Sequence, residues 1–175
     1  TDAVYTLIGN AHLDRLGDRP GVFKAKTEML GFMPDNGTVF LNADDDLLST
    51  CICRQSKVLY GLSENADVRA ENIKTESAAK QTCDIISGKR RMHVGIPAYG
   101  RHMVYAALEG AAVGIKFGLS DDEIIRGIAA YKTVGRRANV IDTGYITIID
   151  DCYNANPDSV KCAIDSMAEG GGRKV

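Results

Sequence analysis

Three short apolar runs limit what this chain can fold into: Ala3-Val4-Tyr5-Thr6-Leu7-Ile8-Gly9, Thr38-Val39-Phe40-Leu41 and Lys57-Val58-Leu59-Tyr60-Gly61. Each is bounded like a strand and reads as buried rather than half-exposed. A helix is expected between the first two, over about residues 21–33, followed by a turn at Pro34-Asp35-Asn36-Gly37. The second run empties into the acidic loop Asn42-Ala43-Asp44-Asp45-Asp46. Strands that end in loops and are followed by helices predict an α/β fold with a mostly parallel sheet.

The rest of the chain adds smaller pieces. Alternating character over residues 67–97 predicts a small antiparallel part, with strands near 68–73 and 92–96. Residues 102–117 are Ala-rich and place Val104, Leu108, Ala111 and Ile115 on one helical stripe that Gly118 ends. Ser120-Asp121-Asp122-Glu123 is a capping-box pattern opening a second helix through Tyr131. Thr133-Val134-Gly135-Arg136-Arg137 reads as a linker. A hairpin is expected next, from Val140-Ile141 and Tyr145-Ile146-Thr147-Ile148-Ile149 around Asp142-Thr143-Gly144. Asn156-Pro157 supplies a cap and a first-turn proline for a helix to about residue 168. Gly172-Arg173-Lys174-Val175 reads as the opening of another strand. Both ends are thus expected inside regular structure, as in a piece of a larger protein.

Charge and composition exclude several classes. Among 175 residues, 21 Lys plus Arg stand against 23 Asp plus Glu, for a net charge of -2. Binding a nucleic acid requires a clustered basic excess, so none is expected as a partner. No apolar run approaches the ~20 residues that cross a bilayer. Thr1-Asp2-Ala3-Val4-Tyr5 has no positive region of the kind that opens a signal peptide. A cytoplasmic protein is expected. Five cysteines, an odd number, read as reduced thiols. Cys51-Ile52-Cys53 is spaced too closely for a zinc knuckle. Asn36-Gly37-Thr38 fits a glycosylation acceptor in form, but Asn-Gly before an apolar run fits a turn better.

One lysine stands out. On a helical wheel with Val22 at the origin, Met33, Leu30 and Phe23 fall on one side of the arc, and Met29, Ala25 and Phe32 on the other. Lys26 falls at about 40°, in the middle of the apolar arc, whereas Lys24 and Glu28 form an i, i+4 pair on the opposite face. Two readings follow. Lys26 lies at a helix edge with its stem on apolar surface and its head in water, or its amine is neutralised by burial and is chemically modified or metal-associated.

Other residues carry weaker signals. His12 follows the first strand, beyond the end where α/β sheets place ligands. His93 alternates within a strand and reads as a surface or core histidine. His102 follows Pro97-Ala98-Tyr99-Gly100-Arg101 at a helix start, a place suited to anionic ligands. Asp150-Asp151 closes a strand, where paired carboxylates bind sugar hydroxyls or metal, or simply cap the next helix. No G-x-x-x-x-G-K-[ST] sequence occurs.

In order along the chain, Ile8-Gly9-Asn10-Ala11-His12-Leu13-Asp14, Val22-Phe23-Lys24-Ala25-Lys26-Thr27-Glu28, Leu41-Asn42-Ala43-Asp44-Asp45 and Gly100-Arg101-His102 resemble blocks of the Mur ligase family, the ATP-dependent amino-acid and peptide ligases of peptidoglycan synthesis. A fifth, Asp150-Asp151-Cys152-Tyr153-Asn154-Ala155-Asn156-Pro157-Asp158-Ser159, looks like that of the branch joining D-alanyl-D-alanine to UDP-N-acetylmuramoyl-tripeptide. The resemblance covers nearly the whole chain. It implies a partial central ATPase domain over residues 1–134 and the start of a Rossmann-like C-terminal domain over 135–175, without the P-loop and therefore inactive by itself. ATP and Mg2+ are the implied cofactors and a monomer the implied state. Lys26 matches a lysine that takes up CO2 as a carbamate and helps hold magnesium, and His12 matches the family's metal-binding histidine. His102 lies in the nucleotide block, Arg136 matches an arginine that reaches the phosphates, and Asp151 a carboxylate near the ribose. Asn154, Ala155, Asn156 and Pro157 match the loop near the incoming dipeptide. The chain departs from the pattern at Met103 and Ala106, where asparagines near adenine are usual, and at Cys152, where serine is usual.

Overall fold

The computed structural model describes every residue except 11, 12, 78, 99, 134, 136, 154, 156, 170–172 and 174. Six strands form one sheet in sequence order: β1 (Asp2–Tyr5), β2 (Thr38–Asn42), β3 (Ser56–Gly61), β4 (Val68–Ser77), β5 (Lys80–Ser87) and β6 (Arg90–Ile96). The first four run parallel, and β4, β5 and β6 form an antiparallel meander. A parallel pair ordinarily needs a crossover of a dozen residues or more. Between β3 and β4 far fewer suffice, because β4 starts beside the end of β3 and continues past it, pairing only Tyr60 with Val68 and Gly61 with Arg69.

β2 explains the layering. All five of its residues are buried. Val39 and Leu41 join Tyr5, Val22, Leu30 and Leu48 on one face, under α2 (Arg19–Thr27). Phe40, one residue out of phase, joins Tyr60, Ile85, Val94 and Leu108 on the other, under α3 (His102–Lys116). A strand clad on both faces reads as a continuous apolar run, as it does here. α3 buries Val104, Ala107, Leu108, Ala111 and Ala112 against the sheet, with Ile115 half-buried beside them. The capping box of α4 (Asp121–Ala129) forms as expected, with Ser120 and Glu123 serving each other's backbone. A separate hairpin of β7 (Asn139–Asp142) and β8 (Thr147–Asp150) precedes α5 (Pro157–Glu169). No helix among the described residues is long and apolar enough to cross a membrane.

The structure corrects four expectations. The first strand ends at Tyr5 rather than at residue 9. β5 lies outside both strands expected in the antiparallel part. The helix over 21–33 is α2 followed by a 3-10 turn at Glu28–Gly31. The second helix, opened by the capping box, ends at Ala129, short of Tyr131. The turn at Pro34 is present, with the Gly37 N–H donating to the Pro34 carbonyl at 3.0 Å. The proposed last strand and the Asn156 cap fall on or beside residues outside the description.

Candidate functional site

The site is built on residues 6–10, where the chain leaves the sheet at the C-terminal end of β1. Backbone groups that leave a ladder need other partners. Here side chains from several elements provide them. Asn42, at the end of β2, donates to the Thr6 carbonyl at 2.9 Å. Lys26 Nζ donates to the Leu7 carbonyl and Arg19 Nε to the Ile8 carbonyl, both at 2.9 Å. The Ile8 N–H donates to Asp45 Oδ2 at 2.8 Å. From α5, the Asp158 carboxylate accepts from the Asn10 N–H at 3.3 Å and from Asn10 Nδ2 at 3.2 Å. The chain then continues to His12, which lies outside the described residues, before the short helix α1 (Leu13–Leu16).

The acidic loop after β2 anchors this arrangement. Asp45 is only 5% exposed. Besides the Ile8 N–H it accepts from the Leu47 and Leu48 N–H groups at 3.0 and 2.9 Å, and Arg19 lies 3.8 Å away. Arg19 pairs mainly with Asp46. Asp44 turns the other way, taking the Leu62 and Ser63 N–H groups and the Tyr105 hydroxyl. Burial works against its charge, but those hydrogen bonds prevail and hold its carboxyl below the usual range.

Lys26 is not buried. It is exposed, and so are Ala25 and Met29, while Val22 is the one fully buried residue of α2. The wheel assumed 100° per residue as far as Met33, but the tighter 3-10 turn re-aims Leu30 and Met33 into the core without carrying Lys26 with them. The edge reading of Lys26 is the one the structure supports, and its amine serves the Leu7 carbonyl.

His102 opens α3 beside α5. Its Nδ1 lies 3.4 Å from Cys162 Sγ. Partial burial of the ring lowers its pKa, and nearby Asp151 opposes the shift. Asp151 Oδ1 also accepts the Ala138 N–H at 3.0 Å, which ties the start of the hairpin to the end of β8. Gly100, at φ +89°, leaves no room for a side chain: a Cβ there would sit 2.5 Å from the His102 ring. Met103 and Ala106 line an apolar cavity of about 310 Å³ between α3 and α4, bounded also by Ile96, Ile124 and Tyr131. Neither can hydrogen-bond a base edge.

Arg136, Asn154 and Asn156 lie outside the description; Ala155 and Pro157 are exposed ahead of and at the start of α5. Arg137 stacks its guanidinium 4.3 Å over the Tyr153 ring. His93 pairs with Asp84 at 2.8 Å on the meander, away from these residues. No group of three His, Cys, Asp or Glu side chains among the described residues could hold a metal. Sequence reading gave no individual role to Arg19, Asn42, Asp45 or Asp158, whose partners lie far away in the chain, although the last three fall within family blocks.

A mostly parallel sheet clad by helices, with polar side chains converging at strand C-termini, defines an α/β protein of the architecture that places ligands at that edge. Residues 1–114 match the Mur ligase middle domain, and the chain belongs to the Mur ligase family. It is 32% identical to the UDP-N-acetylmuramoyl-tripeptide–D-alanyl-D-alanine ligase of Bacillus subtilis, a match spanning 99% of this chain and 38% of that protein. Its fold matches 98% of this chain to a crystal structure of MurF from Acinetobacter baumannii, at a TM-score of 0.87, 25% identity and 38% of that chain. It likewise matches the MurF ligase of Thermotoga maritima, solved in complex with ADP, at a TM-score of 0.85, 23% identity, and 98% and 40% of the two chains. The chain therefore spans under half the length of these relatives.

Proposed function

We propose that this chain is the central-to-C-terminal stretch of an ATP-dependent ligase of peptidoglycan precursor synthesis, joining D-alanyl-D-alanine to UDP-N-acetylmuramoyl-tripeptide in the cytoplasm. The observation that carries the reading is the 32% identity to the Bacillus subtilis ligase across 99% of this chain. The side-chain-held loop 6–10 and the block at residues 150–159 support it. Residues 1–134 serve as part of the central domain and 135–175 as the start of the C-terminal domain.

In this reading the γ-phosphoryl group of ATP passes to the terminal carboxylate of the UDP-linked peptide, giving ADP and an acyl phosphate. The dipeptide amine then attacks the acyl carbon, and phosphate leaves as the amide forms. His102, Arg136 and Asp151 contact the nucleotide, and Asn154, Ala155, Asn156 and Pro157 the dipeptide. The exposed Lys26 amine donates to one neutral carbonyl and is joined to no carboxylate among the described residues; its uncharged form, reached by loss of the ammonium proton to solvent, would add CO2 and release a second proton as the carbamate forms. The resulting carbamate oxygens suit a hard cation such as Mg2+, with His12 the second protein ligand. Bound there, the ion would offset charge on the phosphates.

The test is ADP release by a full-length protein containing this chain, given the UDP-linked tripeptide and either D-alanyl-D-alanine or a single amino acid. Release that requires the dipeptide is expected. Release with a single amino acid instead would assign a sibling ligase. No release with any donor would favour a non-catalytic paralogue, the reading that the apolar wall at Met103 and Ala106 favours. Lys26→Ala should abolish metal-dependent release while Lys24→Ala leaves it nearly intact; equal losses would refute the assignment of Lys26.

A further inference from the structure

Cys51-Ile52-Cys53 is too closely spaced for a zinc knuckle, yet the fold places both thiols on one cavity. Residues 50–55 lead into β3, and the 3-10 turn at Glu28–Gly31 comes before β2. The cavity between them, of about 490 Å³, therefore lies at the N-terminal edge of these strands, across the sheet from loop 6–10. Phe23, Leu30 and Ile52 supply its apolar wall, and Cys51, Cys53 and Gln55 line it as well. Residues 51–53 belong to no helix or strand, and their exposure alternates: Cys51 is buried, Ile52 is 94% exposed and Cys53 is half-buried. Side chains at i and i+2 of an extended chain point the same way. Both thiols thus turn inward while Ile52 turns to solvent.

Two neighbours suit these thiols to a cation. Gln55 is 4% exposed, and its Nε2 donates to the Leu30 and Met33 carbonyls at 3.2 and 3.1 Å. Its Oε1 has no hydrogen-bond partner among the described residues. A buried oxygen left unpaired favours positive charge or a donor beside it. Lys57 Nζ donates to the Cys51 carbonyl at 3.1 Å. Burial pushes the Cys51 thiol up, and the Lys57 charge opposes that shift.

We propose that Cys51 and Cys53 form a two-thiolate site for the soft cation Cu+, at the sheet edge opposite loop 6–10. Thiolates select Cu+, which accepts two ligands, whereas Zn2+ takes four. No third His, Cys, Asp or Glu joins the pair among the described residues. Two metal–sulfur bonds of about 2.3 Å bridge sulfurs up to about 4.6 Å apart, a gap far wider than the ~2.05 Å of a disulfide. Each thiol loses its proton on binding, so Cu+ and two thiols give an anionic bis-thiolate complex and two protons. The Lys57 ammonium offsets that negative charge. The site is independent of the ligase reading, because none of its residues belongs to the nucleotide or dipeptide blocks.

The experiment titrates Cu+ into a full-length protein containing this chain, under a reductant and in competition with the chromophoric chelator bicinchoninate. The protein should withdraw one equivalent from the chelator. Cys51→Ser and Cys53→Ser should each weaken binding by about a hundredfold or more, while Cys152→Ser, at an exposed thiol, leaves it nearly unchanged. Below the thiol pKa values, affinity should rise by up to about a hundredfold per pH unit, as two protons leave per ion. X-ray absorption at the copper edge should show two sulfur neighbours and no nitrogen, and equimolar Zn2+ should not displace the ion. Failure to take Cu+ from the chelator would overturn the proposal, as would nitrogen neighbours or displacement by Zn2+. Equal losses in all three variants would do so too, by showing that any free thiol takes the ion. If circular dichroism shows that Cys51→Ser loses its fold, Cys53→Ser at the half-buried position decides.

Discussion

Replacing Asp45 with asparagine tests the idea that the site is held by buried side-chain acceptors. One oxygen of Asp45 serves Ile8, and the other serves Leu47 and Leu48, all at 2.8–3.0 Å. At 5% exposure, water has little access to replace them. Asparagine keeps a single acceptor oxygen, so its NH2 must face either the Ile8 N–H or the Leu47 and Leu48 pair. Facing Ile8 is the lesser loss, and it sets two donors against each other in a closed space. Losing one hydrogen bond to a charged acceptor and leaving a buried N–H unpaired together cost about 2–4 kcal/mol. For a chain of this size, that lowers the Tm by roughly 4–16 °C. Urea denaturation followed by circular dichroism gives the free energy, and exchange of the Ile8 amide locates the damage. Asp46→Asn is the control, because that side chain is 67% exposed and its pairing with Arg19 lies in water. It should be nearly silent. Asp45→Asn within about 0.5 kcal/mol of the unaltered chain would refute the reasoning. So would an equal loss in Asp46→Asn.

Two further outcomes follow from the packing and from His102. Leu108→Ala, at a fully buried position between α3 and the sheet, should cost about 3 kcal/mol by urea midpoint without loosening loop 6–10; a loss under about 1 kcal/mol would mean that the core collapses around the gap. Burial lowers the His102 pKa, so between the ordinary histidine value of about 6.5 and its folded value only the unfolded chain takes up the proton. Stability should therefore fall as pH drops from about 7 towards 5, and His102→Gln should flatten that slope; a His102 titration by NMR above the ordinary value would contradict it.

What was legible in the sequence was whatever neighbours decide among themselves. The capping box at Ser120 and Glu123, the hairpin turn at residues 142–144 and the continuous apolar run of β2 each involve groups a few residues apart, so their physics is written locally. β5 was missed because its buried residues include Gln81 and Thr82, whose polar side chains break the apolar run that marks a strand. Gln81 Nε2 donates to the Ala98 and Gly100 carbonyls, which the fold brings to it. Lys26 was misplaced for a related reason. A wheel extends one helical pitch through residue 33, whereas the core draws Leu30 and Met33 inward through a 3-10 turn and leaves the lysine in water.

The fold brings residues of several family blocks together at one sheet edge. Which groups hold that edge together is a tertiary matter. Asn10 and Asp158 are 148 residues apart, and Ile8 and Asp45 are 37 apart. No periodicity spans such intervals. By itself, the sequence determined most of the strands and helices and the chemistry available. Only the folded chain decided which carboxylate closes on which N–H, because a hydrogen bond depends on distances of a few ångströms that long-range packing alone sets.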